Sequence, residues 1–259
     1  MRKSRVVQKL EKEQPVLCTC VNAAMSPLIV ELVGRIGFDT VWLDMEHRPI
    51  AWQDVSHLTA AARNADLDSL VRIRKGEGYT SFFRPFEDGA AGIMVPHVTS
   101  REEALYVVQN AKYAPLGRRG MENVMHDADC GLADTADYMQ HANNETFIVI
   151  QIEDPEGVDA IDEIASVDGI DVLFIGPGDL TQQYGIIGQL DHPRMQKTVD
   201  AIAAAADRHG KAWGMPCSNT EQAARILGNG ARFIAAPGDY SQLREGFIRT
   251  YNEFTALFV

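Results

Sequence analysis

The chain has 259 residues, 46% hydrophobic and 23% charged, enough apolar material for one sizeable core at a length that a single barrel can fill. No run approaches the roughly 18 consecutive apolar residues of a membrane span, so a transmembrane or a disordered chain is excluded. With 24 Lys and Arg against 36 Asp and Glu, the net charge of −12 repels phosphate backbones and anionic lipid, which sets aside nucleic acid and membrane as partners.

The opening stretch MRKSRVVQKLEKEQP is basic and has no apolar segment behind it to make a secretory signal, so a cytoplasmic location is expected. In that compartment the sequon Asn144-Glu145-Thr146 is a chance match, and the four cysteines read as reduced thiols, Cys18-x-Cys20 lacking the paired spacing of a zinc site. Short runs rich in Val, Ile, Leu and Phe lie near 15–22, 39–45, 69–74, 91–98, 147–153, 171–176, 211–216 and 231–236. Runs of this kind mark strands buried on both faces. Helical spacing fills the gaps, as where Met195, Val199, Ile202 and Ala206 fall on one face. Ser100-x-x-Glu103 and Ser218-x-x-Glu221 read as capping boxes, and Gly37, Gly210 and Gly228 or Gly230 as helix ends. Eight strands alternating with helices predict a single α/β domain over residues 1–259, a (β/α)8 TIM barrel, with a doubly wound open sheet as the alternative. The irregular stretch from about 112 to 146, which holds KYAPLGRRGMENVMH, is longer than a plain loop, and such loops are often functional.

Barrel enzymes work at the C-terminal ends of their strands, and the polar residues there are few. The second run ends in Asp44-Met45-Glu46-His47, the third contains Arg72, the fifth ends in Glu153-Asp154, and the sixth leads into Gly176-Pro177-Gly178-Asp179. Two carboxylates about 4 Å apart repel by about 4 kcal/mol at an effective dielectric near 20, which a divalent cation reverses. Glu153 and Asp179 are therefore candidate ligands of Mg²⁺ or Mn²⁺, and capping or ion pairing is the competing reading. Asp154 before Pro155 reads as a helix N-cap. His47 beside Asp44 and Glu46 fits a base oriented by a carboxylate. Arg72 inside an apolar strand needs an anion, either a substrate or Asp44 or Glu46. Arg118 and Arg119 are either a clamp for a distal substrate carboxylate or a solvent-facing pair. His97 ends the fourth run and faces the same mouth, where a supporting or steric role competes with substrate contact. Gly176-Pro177-Gly178 reads as a tight turn that brings Asp179 to the metal. Paired carboxylates acting without metal, as in a barrel glycosidase, and a catalytically silent binding barrel are the other function classes.

Across ELVGRIGFDTVWLDMEH, LVRIR, GAAGIMVPHV, YAPLGRRG, VIQIEDPEGV, FIGPGDL and GARFIAA, in that order, the chain resembles the class II pyruvate aldolases of the 4-hydroxy-2-oxoheptanedioate aldolase family, related to 2-dehydro-3-deoxyglucarate aldolase. The resemblance implies a phosphoenolpyruvate/pyruvate barrel, with Glu153 and Asp179 on a divalent metal (Mg²⁺ or Mn²⁺, with Co²⁺ a further option) and His47 with Asp44 transferring protons. It puts Arg72 on the pyruvate oxygen, with Gln151, Gly178 and Glu46 around the substrate. Its activity is cleavage of a 4-hydroxy-2-oxo acid to pyruvate and an aldehyde. The chain departs from the family pattern at His97, Arg48 and Gly178, around the pocket rather than on the ligands. Together with the apolar tail Phe254, Leu257 and Phe258, the resemblance also implies a homo-oligomer, a hexamer with the C-terminal helix packed on a neighbouring subunit.

Overall fold

A computed structural model describes residues 2–258. Eight parallel strands, β1 (Val16–Cys20), β2 (Thr40–Asp44), β3 (Asp68–Arg72), β4 (Gly92–Val95), β5 (Phe147–Ile152), β6 (Val172–Ile175), β7 (Ala212–Pro216) and β8 (Phe233–Ala236), pair in chain order, and β8 closes on β1. Closure rules out the open sheet, and all eight apolar runs become barrel strands.

Period-two alternation sorts the strand residues into two cores. One set, including Val41, Leu43, Val71, Ile148 and Leu173, packs outward under the helices. The other fills the lumen with Cys18, Trp42, Leu70, Met94, Phe147, Val149, Phe174 and Phe233. Phe174 makes edge-to-face contacts with Trp42 and Phe233 at centroid distances of 5.7 and 5.9 Å, so the lumen is a packed plug and not a pore. The helix Arg5–Leu10 closes the N-terminal end, with Val6 joining the lumen core.

Helix ends follow the sequence signals with one shift. Gly37, Gly210 and Gly230 take positive φ values of 113°, 62° and 90° where helices stop, a conformation that glycine adopts at no steric cost. Ser100 caps the Glu103 N–H, although the Glu103 carboxylate returns to Thr99 N–H. The other box is corrected: Asn219 is the cap of the helix Thr220–Gly228 and bonds Gln222 N–H, while Gln222 Oε1 accepts from Ser218 N–H. Asparagine one residue later competes for the same role as serine and wins.

The irregular stretch 112–146 joins the C-terminal end of the helix Arg101–Ala111 to the start of β5, so it lies at the N-terminal end of the barrel, away from the strand C-termini. Its own small core is Tyr113, Ala128, Tyr138 and Ala142, closed by the helix Thr135–Glu145. The helix Asp239–Thr255 buries none of its residues, and Phe247, Tyr251 and Phe254 are largely exposed.

Candidate active site

Asp44, Arg72 and Gln151 each follow a lumen residue by two places, after Trp42, Leu70 and Val149, so strand alternation stands them on the apolar plug. Glu153 and His97 come just past the ends of β5 and β4, and Asp179 lies in the first turn of the helix Pro177–Gln183 after β6. The mouth is thus polar chemistry resting on a dry floor.

Arg72 is its centre. Its Nε and Nη2 donate to the two Asp44 oxygens at 2.9 and 2.7 Å, and Nη1 donates to Gln151 Oε1 at 3.4 Å. Nη1 also lies 3.0 Å from Glu46 Oε2, without hydrogen-bond geometry, and the guanidinium carbon sits 4.9 Å over the Trp42 ring. Burial works against both charges of the Asp44–Arg72 pair, but their hydrogen bonds and mutual attraction outweigh it. Asp44 is held below the usual carboxylate range, and Arg72 is raised above its ordinary value.

Asp44 Oδ1 accepts in addition from the N–H groups of Glu46 and His47, at 3.1 and 3.3 Å. The expected dyad is corrected here: Asp44 holds the main chain of His47 and not its ring. Asp44 Oδ1 is filled by Arg72 Nε and the two N–H groups, and Oδ2 accepts from Arg72 Nη2. The His47 side chain is 60% exposed, with Nε2 3.9 Å from Glu46 Oε2.

Glu153 is 1% exposed, accepts the His97 N–H at 3.0 Å through Oε1, and accepts from Gln151 Nε2 through Oε2. Burial, with Glu46 adding to it and His97 opposing it, pushes its carboxyl up to about 7. A side chain at Gly176 would run into the Glu153 carboxylate, so the close approach of β5 and β6 requires glycine there. This replaces the expected tight turn: Gly176 has φ −94°, Pro177 opens a helix, and Gly178 is exposed with open space around it.

His97 stands nearer the centre than sequence reasoning placed it. It takes φ 55°, a left-handed conformation worth of order 1 kcal/mol of strain for a residue with a Cβ, and it is held there by Glu153. Its Nδ1 lies 2.9 Å from Asp154 Oδ2. Burial opposes a charged ring, but the Asp154 hydrogen bond and the charges of Glu153, Asp154 and Glu46 raise its pKa above the usual value. Asp154 occupies the N-cap position before Pro155, yet its carboxylate makes no capping bond; it takes the His97 ring and Gln183 Nε2 instead.

Ligand atoms of His97, Glu153 and Asp179 lie within 4.8 Å of one another. A divalent cation fits this group: the carboxylate of Glu153 is buried among other acids, and two carboxylates with one imidazole form an ordinary donor set for such an ion. Arg118 and Arg119 are not part of the mouth. Arg118 donates to Gln109 Oε1, while Arg119 is buried against Asp127 at 3.0 Å and lies over the Tyr113 ring, so it is neither a substrate clamp nor solvent-facing.

No helix among the described residues is long and apolar enough to cross a membrane. Residues 20–245 match the family model described as HpcH/HpaI aldolase/citrate lyase. The 5-keto-4-deoxy-D-glucarate aldolase of Salmonella arizonae is 35% identical over 236 residues, 90% of each chain. Among solved structures, the HpcH/HpaI aldolase from Desulfitobacterium hafniense superposes with a TM-score of 0.90 at 31% identity, covering 95% of both chains. The citrate synthase SbnG superposes with a TM-score of 0.85 at 27% identity over 96% of this chain and 97% of that one. The family match over residues 20–245, with a relative 35% identical over 90% of the chain, places this chain in the HpcH/HpaI aldolase/citrate lyase family.

Proposed function

We propose that the protein is a cytoplasmic, metal-dependent pyruvate aldolase, a carbon–carbon lyase that reversibly cleaves a 4-hydroxy-2-oxo acid to pyruvate and an aldehyde. The observation that carries this reading is the pairing of the buried Arg72 guanidinium with a carboxylate and imidazole cluster at one barrel mouth. Cleavage of the C3–C4 bond leaves the electron pair on the pyruvate enolate, so negative charge develops on the C2 oxygen. A divalent cation, Mg²⁺ or Mn²⁺, held by Glu153 and Asp179 would supply Lewis-acid stabilisation of that charge.

Arg72 donates hydrogen bonds to the same oxygen, and Asp44 fixes the guanidinium in advance, so little reorganisation is left for the reaction. Gln151, bonded to both Arg72 and Glu153, orients the substrate against them. Gly178, uncrowded in the first turn of its helix, leaves room for the 2-oxo acid carboxylate at main-chain N–H groups. His47, exposed beside Glu46, takes the C4 hydroxyl proton and returns a proton to the enolate carbon. Asp44 serves it by fixing its main chain.

We further propose a homo-oligomer, a hexamer in which the helix Asp239–Thr255 packs on a second copy of this chain. Support comes from that helix burying nothing of its own, while Leu17 of β1 is 41% exposed and Leu28, Leu32 and Ile36 on the following helix are also bare. A monomeric mass by light scattering at micromolar concentration removes this proposal.

The test of the activity is a screen of pyruvate with a panel of aldehydes, with Mn²⁺ or Mg²⁺ and after chelation. Condensation that disappears with chelator and returns with metal is expected. Full turnover in metal-free protein ends the metal-dependent reading, and activity on glycosides with none on 2-oxo acids would favour paired-carboxylate chemistry.

A further inference from the structure

His97 is held in a way that the reaction as proposed does not use. Its Nδ1 lies 2.9 Å from Asp154 Oδ2, and the other Asp154 oxygen accepts from Gln183 Nε2 at 2.8 Å, so ring and carboxylate are fixed together. The His97 N–H donates to Glu153 Oε1 at 3.0 Å, which ties the backbone of one residue to the carboxylate of another in the same cluster. A carboxylate on one ring nitrogen sets the tautomer and leaves the second nitrogen as a lone-pair donor, the arrangement that orients metal-binding histidines and raises their basicity. In His97 the remaining atom is Nε2, which stands 3.7 Å from Glu46 Oε1, outside hydrogen-bond distance. Nδ1 lies 3.6 Å from Glu153 Oε1, and a ring nitrogen of His97 comes within 4.8 Å of ligand atoms of Glu153 and Asp179.

We infer that His97 is a third protein ligand of the cation site, with Asp154 as its positioning residue. The inference rests on the reading of Glu153 and Asp179 as ligands and changes its consequence. Two carboxylates alone suit Mg²⁺ and Mn²⁺, whereas adding an imidazole shifts preference toward Co²⁺, Ni²⁺ and Zn²⁺. The site is then tuned by one side chain on the loop after β4 rather than by the carboxylates.

The experiment uses the full-length protein, stripped of metal and reloaded with one equivalent of Mn²⁺, Mg²⁺ or Co²⁺. Electron spin-echo envelope modulation on the Mn²⁺ form should show coupling to an imidazole ¹⁴N in the wild type and in His47→Ala, and none in His97→Asn. Asparagine is chosen because it tolerates the left-handed backbone at this position. By competition calorimetry, His97→Asn should lower Co²⁺ affinity about a hundredfold and Mg²⁺ affinity by less than about threefold; Asp154→Asn, which keeps the imidazole and the ¹⁴N coupling, should lower Co²⁺ affinity about tenfold. Mn²⁺ bound to the wild type without ¹⁴N coupling, or equal losses of Co²⁺ and Mg²⁺ in His97→Asn, overturns the role of His97 and leaves Glu153 and Asp179 as ligands. A wild-type protein that binds no Mn²⁺ overturns both.

Discussion

At the N-terminal end of the barrel, Arg2 meets Asp68 at 2.9 Å, Arg119 meets Asp127 at 3.0 Å, and the Lys112 ammonium donates to the carbonyls of Asn143 and Thr146 and to the Thr146 hydroxyl. At the opposite end, Arg72 stands against Asp44 and Glu46, with Glu153, Asp154 and Asp179 beyond them. Both ends withdraw charge from water, which is costly unless each ion finds a partner. At the N-terminal end Arg2 and Arg119 each meet a carboxylate and Lys112 is met by neutral oxygens, so charge is nearly balanced, although Arg2 Nη2, Asp68 Oδ1, Arg119 Nε and Asp127 Oδ1 make no hydrogen bond. At the mouth acids outnumber the buried cation, and that surplus is the charge that the proposed divalent cation would balance. The contrast is the one expected of a (β/α)8 barrel, stability at one face and chemistry at the other.

The largest effects should come from the mouth. Arg72→Ala should suppress both aldol cleavage and exchange of pyruvate methyl protons with deuterated water by about 10²- to 10³-fold, the usual loss of a preorganised donor to an oxyanion. It should also loosen oxalate, a planar mimic of the enolate. His47→Ala should slow turnover by roughly 10²- to 10⁴-fold while oxalate still binds. Wild-type exchange rates in both variants would make the mouth as structural as the other end.

Next in size is the charge-balanced end. Asp127→Ala leaves Arg119 buried without its carboxylate and should cost about 3–5 kcal/mol in denaturant unfolding, with turnover per folded molecule unchanged. A comparable loss of turnover would erase the distinction between the two ends.

Acidification should separate the ends by sign. Asp44 has a folded-state pKa below its unfolded value, so its stabilising share is present above about pH 4 and is lost as the pH falls through the folded value. Asp68 is the reverse: burial outweighs Arg2, Ser4 and Val6 and raises its pKa, so its ionised form penalises the fold above about pH 4 and protonation relieves that penalty. Unfolding midpoints between pH 3 and 6 should lose their acid limb in Asp44→Asn and part of their opposing slope in Asp68→Asn. The same slope change in both would refute the assignment. Arg118→Ala, on the exposed side of the irregular stretch, should shift stability by no more than about 0.5 kcal/mol and leave the KM for every 2-oxo acid unaltered.

The strands were legible because a barrel buries them on both faces and writes them as apolar runs; even the inward set can be counted by twos from Trp42 to Asp44 and from Leu70 to Arg72. Strand ends located Glu153 and Asp179 for the same reason. His97 carried that signal too, but its weight depends on Asp154, just past β5, and on Gln183 at the end of the helix after β6, which share no sequence spacing with it. The ring of His47 and the bond it lacks to Asp44 were hidden because Arg72 competes for the same oxygens, a contest decided across strands. The stretch 112–146 drew attention by its length alone, when its position between a helix end and a strand start already assigned it to the far face.

Gly176 has an evolutionary consequence. Every single-nucleotide change that replaces a glycine codon introduces a β-carbon, and at this position a β-carbon would crowd the Glu153 carboxylate. The collision falls on the side chains of Glu153 and Gln151 at the rim, while the strand pairing beneath it is already made by Ile152 and Ile175. A point mutation here strikes the proposed metal ligand and its hydrogen-bond partner first, so the site is expected to be lost from a lineage more readily than the fold.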